Sequence, residues 1–223
     1  DHPLYVGHPG IMGDRGANLI LQETDLLISV GSRLDTSLTA FNEPNFAKCA
    51  KKVVVDIDPY ELDRMKIGKA VSLAGDAKVF LETLLVHVES EDMPLKDWES
   101  WLSYGKTLRE KYPVVTQAHR ELEGRVSPYY FTDRLCGLLT PEDVIVPESS
   151  GGAGEITYQA FRLKKGQKMK NAAGLGSMGF GLPYAIGSCI ANGGRRTILI
   201  NGDGAFQLNI QELETVRRLG LPI

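Results

Sequence analysis

Short apolar runs alternate with helix-like segments in the first part of the chain. The predicted strands cover residues 26–30, 52–58 and 70–73, of which the second is densely β-branched. The predicted helices cover residues 15–22, a segment that begins at Pro59, and residues 75–88. In the third helix, the side chains expected to face inward are Val79, Phe80, Leu84 and Leu85. Strands that alternate with helices in this way predict a parallel, doubly wound sheet.

The same alternation returns nearer the end of the chain. Strands are predicted at 144–146 and 197–200, and helices at 129–139, at 182–191 and over the last segment. The last helix is expected to direct four apolar side chains inward, namely Ile210, Leu213, Val216 and Leu219. The fold class predicted for the whole chain is therefore α/β, with two doubly wound parallel-sheet units, both incomplete.

A charged segment separates the two units. Residues 89–94 are acidic, and residues 96–123 have a helical pattern whose expected buried side carries Trp98, Trp101 and Leu108. This predicts a first domain at 1–88, a helical linker at 89–125 and a second domain at 126–223.

Composition narrows the classes of function. The 223 residues carry 25 Lys and Arg against 28 Asp and Glu, a net charge of −3, which argues against nucleic-acid or membrane-surface binding. No apolar run approaches the length of a membrane span, and the three cysteines have no metal-ligand spacing, so a cytoplasmic protein is expected. Because the chain begins Asp1-His2-Pro3 rather than with Met, we expect it to be part of a longer protein.

The sharpest candidate site follows the strand at 197–200. There Gly202-Asp203-Gly204 leads directly into a helix, and ligands of open parallel sheets bind beyond the carboxyl ends of strands. The glycines let the backbone approach an anion, the helix start offers N–H groups, and Asp203 offers an oxygen ligand for Mg²⁺ or Ca²⁺. The alternative is a tight turn, for which Asp-Gly is a common dipeptide.

A second glycine-rich segment imitates a dinucleotide-binding fingerprint. Residues 174–179 match Gly-x-Gly-x-x-Gly, and Asp203 follows at a strand end. The fingerprint needs an apolar strand immediately before its first glycine, whereas residues 164–171 are basic and polar. A nicotinamide-dependent dehydrogenase stays an alternative, but the segment fits better as a flexible backbone wall beside a ligand.

Both halves resemble one enzyme family. Residues 174–183 and 200–213 are similar to the cofactor-binding domain of thiamine diphosphate enzymes, among which the large subunit of acetolactate synthase is closest. Residues 7–10, 25–33, 56–59 and 75–77 resemble the middle domain of the same family. The resemblance covers nearly the whole chain, and least well the charged linker.

The resemblance assigns roles residue by residue. Asp203 would ligate the Mg²⁺ that holds the diphosphate, while Gly204 and Ala205 would present backbone N–H groups to it. Met178 corresponds to the apolar residue that wedges between the two rings of the cofactor. The complete set of implied cofactor-binding residues is Ser149, Ser150, Gly176, Ser177, Met178, Gly202, Asp203, Gly204 and Ala205.

The resemblance also implies an activity. It points to a carboligase that decarboxylates a 2-keto acid such as pyruvate and joins the two-carbon unit to a second keto acid or an aldehyde, in a homodimer or homotetramer. A 2-keto acid decarboxylase and a non-catalytic homologue stay open as alternatives. The run Arg33-Leu34-Asp35-Thr36-Ser37 departs from the pattern of FAD-carrying relatives, which argues against bound FAD.

Two parts of the family's site are expected outside this chain. The activating glutamate belongs to an N-terminal domain, so no catalytic residue is assigned here, and an asparagine that completes the cation site is expected beyond Ile223. We therefore expect the 223-residue chain alone to be inactive.

Overall fold

The computed structural model describes residues 2–69, 71–90, 98–172 and 174–223. Contacts divide the chain into two compact units, Asp1–Pro113 and Val114–Ile223. The strands of the first unit are β1 (Leu26–Val30), β2 (Lys51–Asp56) and β3 (Val71–Ala74), and its helices are α1 (Arg15–Glu23), α2 (Pro59–Arg64), α3 (Ala77–Ser90) and α4 (Glu99–Lys111). A short 3₁₀ turn lies at Glu43–Asn45. Ala70, in the third predicted strand, and residues 91–97 of the predicted linker lie outside the described residues.

The first unit is built on a parallel sheet in the order β1-β2-β3. Leu26 lies opposite Lys51, and Val53 opposite Val71. Asp58 caps α2, because its side chain accepts a hydrogen bond from the Tyr60 N–H at 2.9 Å, as expected of a carboxylate before a Pro-led helix. The buried apolar core consists of Leu34, Phe46, Ala47, Ala50, Val54, Leu62, Met65 and Ile67.

Helix α4, from the predicted linker, packs against α1. The close approach depends on Gly16, since a Cβ there would lie 3.1 Å from the backbone carbonyl carbon of Leu108. Leu108 is buried, as the pattern predicted, but the prediction for Trp98 is wrong, because this side chain is 52% exposed at the start of the helix. Trp101 is half-buried.

The second unit is also a parallel α/β structure. Its strands are β4 (Val144–Pro147), β5 (Lys168–Met169) and β6 (Thr197–Ile200), in the order β5-β4-β6. Its helices are α5 (Gln117–Arg120), α6 (Pro128–Leu138), α7 (Gly151–Ala160), α8 (Gly181–Ala191), α9 (Asp203–Gln207) and α10 (Leu213–Leu219), with a 3₁₀ turn at Ile210–Glu212. All four residues of the central strand β4 are buried. The α/β class with parallel sheets is thus confirmed in both units, while the two-residue β5 was not predicted.

Two predicted inward faces are wrong for most of their residues, although Phe80 and Val216 are partly buried. In α3, Val79, Leu84 and Leu85 are exposed, and no described residue of this helix is buried. Near the end of the chain, Ile210, Leu213 and Leu219 are exposed as well. Apolar periodicity shows which side chains share a face of a helix, but not whether another element covers that face.

The structure also describes the three cysteines and the lengths of the helices. Cys49, Cys136 and Cys189 are all free thiols. None of the helices in the described part of the chain is long and apolar enough to cross a membrane.

Candidate functional site

Three segments leave the carboxyl edge of the second sheet. Residues 148–150 follow β4, residues 170–180 follow β5 and lead into α8, and residues 201–202 follow β6 and lead into α9. Because the three strands are parallel, these segments start at the same edge, where open α/β sheets bind ligands. Every cofactor-binding residue predicted from the sequence lies in these segments or in the first turn of α9.

The glycine-rich segment approaches the end of β4 and the residues that follow α9. A Cβ on Gly176 would lie 3.9 Å from the carbonyl oxygen of Ser149, so the glycine-rich segment borders the end of β4. The Asn209 side chain donates a hydrogen bond from Nδ2 to the Gly179 carbonyl at 2.7 Å. Gly179 has a φ of +93°, and a Cβ there would lie 2.8 Å from the Leu208 Cβ, so this approach requires glycine.

Asp203 lies at the end of the segment that follows β6. It is the first residue of α9, its side chain is exposed, and its Oδ1 accepts a hydrogen bond from the Gly204 N–H at 2.9 Å. Ala205, in the same turn, is buried. The carboxylate is therefore available to a cation from solvent, while the short helix behind it is anchored.

The glycine-rich segment presents apolar side chains to solvent. Met178 is 57% exposed and Ser177 is exposed, whereas Gly176 is partly covered. Large exposed apolar side chains beside a polar strand edge are typical of a ligand-binding wall. Met178 is thus free to contact a ligand, and its place between the two rings of the cofactor stays a prediction.

Buried polar atoms without partners lie at two strand ends. Among the described residues, the buried side-chain atoms that make no hydrogen bond are Ser149 Oγ and both heteroatoms of Asn201 at this edge, and Ser29 Oγ in β1 of the first unit. Buried polar atoms in proteins nearly always have partners, so the groups at this edge indicate a place for a polar ligand. Pro147 lies opposite Ile200 in the sheet, so Ser149 and Asn201 follow the ends of two neighbouring strands.

Ser149 was predicted from the sequence, but Asn201 was missed. The signal that could have identified Asn201 is its position, since an amide follows an apolar strand directly and precedes Gly202-Asp203-Gly204. Glu148 was missed as well. This side chain is fully buried between the end of β4 and the start of α8.

The donor set fits a diphosphate held through a cation. Asp203 offers a hard oxygen ligand, Ser149 and Asn201 offer unused polar groups, and the glycines leave the backbone open to an anion. Within the described residues, no three His, Cys, Asp or Glu side chains cluster as a metal site. A cation at Asp203 would accordingly take much of its coordination from the diphosphate itself, as Mg²⁺ commonly does.

Curated relatives are similar to the chain along its full length. Acetolactate synthase of Mycobacterium bovis is 33% identical over 226 residues, which is 100% of this chain and 35% of that protein. The isozyme 2 large subunit of acetolactate synthase from Escherichia coli is 32% identical over 224 residues, covering 38% of its length. The chloroplastic acetolactate synthase of Arabidopsis thaliana is 33% identical over 224 residues and is covered over 32% of its length. The chain thus spans about a third of the curated relatives it matches.

Two family models match separate parts of the chain. The central domain of thiamine pyrophosphate enzymes matches residues 1–84, and the C-terminal TPP-binding domain of the same enzymes matches residues 150–223. The second match contains the glycine-rich segment, Asn201 and Asp203. The chain belongs to the thiamine pyrophosphate enzyme family.

Proposed function

We propose that the complete protein is a thiamine diphosphate- and Mg²⁺-dependent carboligase of the acetolactate synthase type. The observation that carries the proposal is the pair of unpartnered buried groups, Ser149 Oγ and the Asn201 amide, beside Asp203 at one sheet edge. Along the whole chain, about a third of the residues are identical to those of acetolactate synthases, which supports the same reaction class.

The chain's own residues would bind and orient the cofactor. Asp203 would hold Mg²⁺ against the diphosphate, Gly202, Gly204 and Ala205 would offer backbone groups, and Ser149 with Ser150 would bind from the neighbouring strand end. Gly176, Ser177 and Met178 would form the wall on the β5 side. When bound, thiamine diphosphate supplies an electron sink for breaking the bond between a carboxylate and a keto carbon.

These residues favour the reaction by fixing positions and excluding water. The buried end of β4 and the anchored start of α9 give the binding groups little freedom, which lowers the entropy cost of bringing two reactants together. Apolar side chains such as Met178 would displace water from the reacting centre once a ligand covers them.

Several finer features belong to the same proposal. The donor would be a 2-keto acid such as pyruvate, the acceptor a second keto acid or an aldehyde, and the product a precursor in branched-chain amino acid biosynthesis. We propose a cytoplasmic homodimer or homotetramer without bound FAD, because Arg33-Leu34-Asp35-Thr36-Ser37 departs from the FAD-associated pattern.

Asp203→Asn in the complete gene product tests the cation site. The amide keeps the shape of the side chain but removes the charge that attracts Mg²⁺, so we expect thiamine diphosphate affinity to fall about tenfold or more. Excess Mg²⁺ should restore part of the affinity. Calorimetric titration at several Mg²⁺ concentrations measures both effects, and formation of acetolactate, acetaldehyde and CO₂ from pyruvate separates carboligation from simple decarboxylation.

Asp63→Asn is the matched control, because Asp63 is an exposed aspartate in the first unit. Cofactor affinity in this variant should equal that of the unaltered protein. If Asp203→Asn also binds the cofactor normally, Asp203 is a turn residue and the cation assignment is wrong. If acetaldehyde and CO₂ are the only products formed from pyruvate, the protein is a decarboxylase and the carboligase assignment is wrong.

A further inference from the structure

Glu148 is a buried carboxylate that neither the sequence motifs nor the assigned cofactor contacts use. It follows the central strand β4 directly, and its relative exposure is 0%. Among the described residues, its carboxylate is satisfied by backbone N–H groups and forms no ion pair with Lys, Arg or His. Burying a carboxylate costs free energy, so the contacts of Glu148 must offset this cost.

The two carboxylate oxygens bind two different segments of the candidate site. Oε1 accepts a hydrogen bond from the Ser149 N–H at 2.7 Å, and Oε2 accepts one from the Gly181 N–H at 3.1 Å. Gly181 is the first residue of α8, where N–H groups have no partner inside the helix. Phe180, the residue that precedes α8, makes no side-chain capping bond, so Glu148 caps this helix from another strand.

The backbone of Glu148 ties in two more segments. Its N–H donates to the Ile200 carbonyl at 2.9 Å, at the end of β6. Its carbonyl accepts from Asn171 Nδ2 at 3.2 Å, just before the glycine-rich segment. One residue therefore connects the ends of two strands, the approach to residues 174–180 and the start of α8.

Gly181 is matched to this carboxylate. A Cβ at Gly181 would lie 2.6 Å from Glu148 Oε2 and 3.2 Å from Leu199 Cδ1, closer than side-chain atoms tolerate. Glycine at this position leaves the space that the carboxylate fills. Gly181, which lies within the family-like run 174–183, thus has a packing partner as well as a backbone role.

We propose that Glu148 is a positioning residue of the cofactor site. Its carboxylate holds Ser149 and Ser150 at a fixed distance from the segment that carries Gly176, Ser177 and Met178, so that both sides meet the same ligand. This inference rests on the proposed function, since it takes thiamine diphosphate as that ligand. Glu148 acts through the segments it orients and does not itself touch the reacting atoms.

Glu148→Gln in the complete gene product tests the proposal. An amide has only one acceptor oxygen, so one of the two N–H groups would face the NH₂ group instead. We expect thiamine diphosphate affinity to fall about tenfold or more, with a smaller loss of kcat at saturating cofactor. Hydrogen exchange at the Ser149 and Gly181 amides of the cofactor-free protein should become faster. Glu148→Asp, which keeps the charge on a shorter side chain, should show the same direction of change.

Asp143→Asn is the matched control, since Asp143 is the buried carboxylate at the opposite end of β4. This variant should lose thermal stability while cofactor affinity and exchange at Ser149 and Gly181 stay within twofold of the unaltered protein. If the unaltered protein binds the cofactor and both Glu148 variants bind it equally well, the positioning role is wrong and the proposed function stands. If the unaltered protein does not bind thiamine diphosphate with Mg²⁺, both the proposed function and the positioning role are wrong.

Discussion

Asp143 shows how a single buried carboxylate anchors the second unit. It lies one residue before β4, and its two oxygens accept hydrogen bonds from Arg196 Nε at 2.6 Å and a terminal Arg196 nitrogen at 2.7 Å. The Thr140 N–H donates to the same carboxylate at 2.6 Å. Together with desolvation, which acts in the opposite direction, these contacts lower the pKa of Asp143 to about 2, and the Arg196 hydrogen bonds are the largest cause.

Asp143→Asn should therefore lower stability in a pH-dependent way. At pH 7 we expect a loss of about 1–3 kcal/mol in the free energy of unfolding, because charge-assisted hydrogen bonds are removed. The ordinary pKa of 3.8 applies to the unfolded chain, so the advantage of Asp143 is complete above that value. It is lost as the pH falls from 3.8 to about 2. Urea unfolding of both proteins across this range measures the difference.

The neighbouring pair supplies the control. Glu142 lies 3.2 Å from Arg195, and its side chain is 74% exposed. Exposed ion pairs contribute about 0–1 kcal/mol, so Glu142→Gln should leave stability nearly unchanged at every pH. An Asp143→Asn variant whose deficit is the same at pH 7 and pH 2 would contradict the titration argument.

At the scale of elements, local chemistry predicted the strands better than the helix faces. Strand β1 starts and ends where the apolar run does, and Asp58 caps α2 as an acidic residue before proline should. The two-residue β5 escaped prediction because Lys168 and Met169 carry no strand pattern, and only pairing with β4 defines it. Propensity cannot predict an element that tertiary pairing alone creates.

In the candidate site, too, some residues could be predicted from local chemistry and others could not. The sequence indicated Asp203 and the glycines, because backbone geometry and metal chemistry restrict which residue types can serve there, and their roles stay predictions. Glu148 was missed because a Glu is normally exposed, and Asn201 was missed although its position directly after an apolar strand could have indicated it. The burial of Glu148 depends on contacts with α8, which is distant in sequence.

Glycines in helices provide a prediction at this scale. Gly16→Ala should destabilise the packing of α1 on α4, because the new Cβ would meet the Leu108 backbone at 3.1 Å and backbone cannot rotate away. We expect a loss of about 1–3 kcal/mol in the free energy of unfolding. Gly187, in α8, is exposed and has nothing within 4 Å of an added Cβ. Gly187→Ala should therefore raise stability by about 0.5–1 kcal/mol, through helix propensity alone.

Thermal unfolding of the two variants beside the unaltered chain decides between the two effects. Although both variants replace a glycine by alanine, we expect the unfolding temperature to fall for Gly16→Ala and to rise for Gly187→Ala. A stabilising Gly16→Ala would mean that α1 and α4 pack less closely than the structure has them. A destabilising Gly187→Ala would indicate that something covers the exposed side of α8.

At the scale of the whole molecule, each unit has its own hydrophobic core. The core around Val54 and Phe46 contains residues of the first unit alone, and the clusters around Ile145 and Val146 contain residues of the second. The two tryptophans of the chain, Trp98 and Trp101, both belong to the first unit. Their fluorescence consequently reports the first unit.

We therefore expect two variants to separate the unfolding of the two units in the 223-residue chain. Gly16→Ala should lower the urea midpoint of tryptophan fluorescence, because it loosens the helix pair that carries both indoles. Asp143→Asn should leave that midpoint unchanged and lower the midpoint of the helical circular dichroism signal, since its contacts lie in the second unit. Separate transitions follow when each core supplies its own burial free energy. A fluorescence midpoint that moves with Asp143→Asn as far as the dichroism midpoint would show that the chain unfolds as one cooperative body.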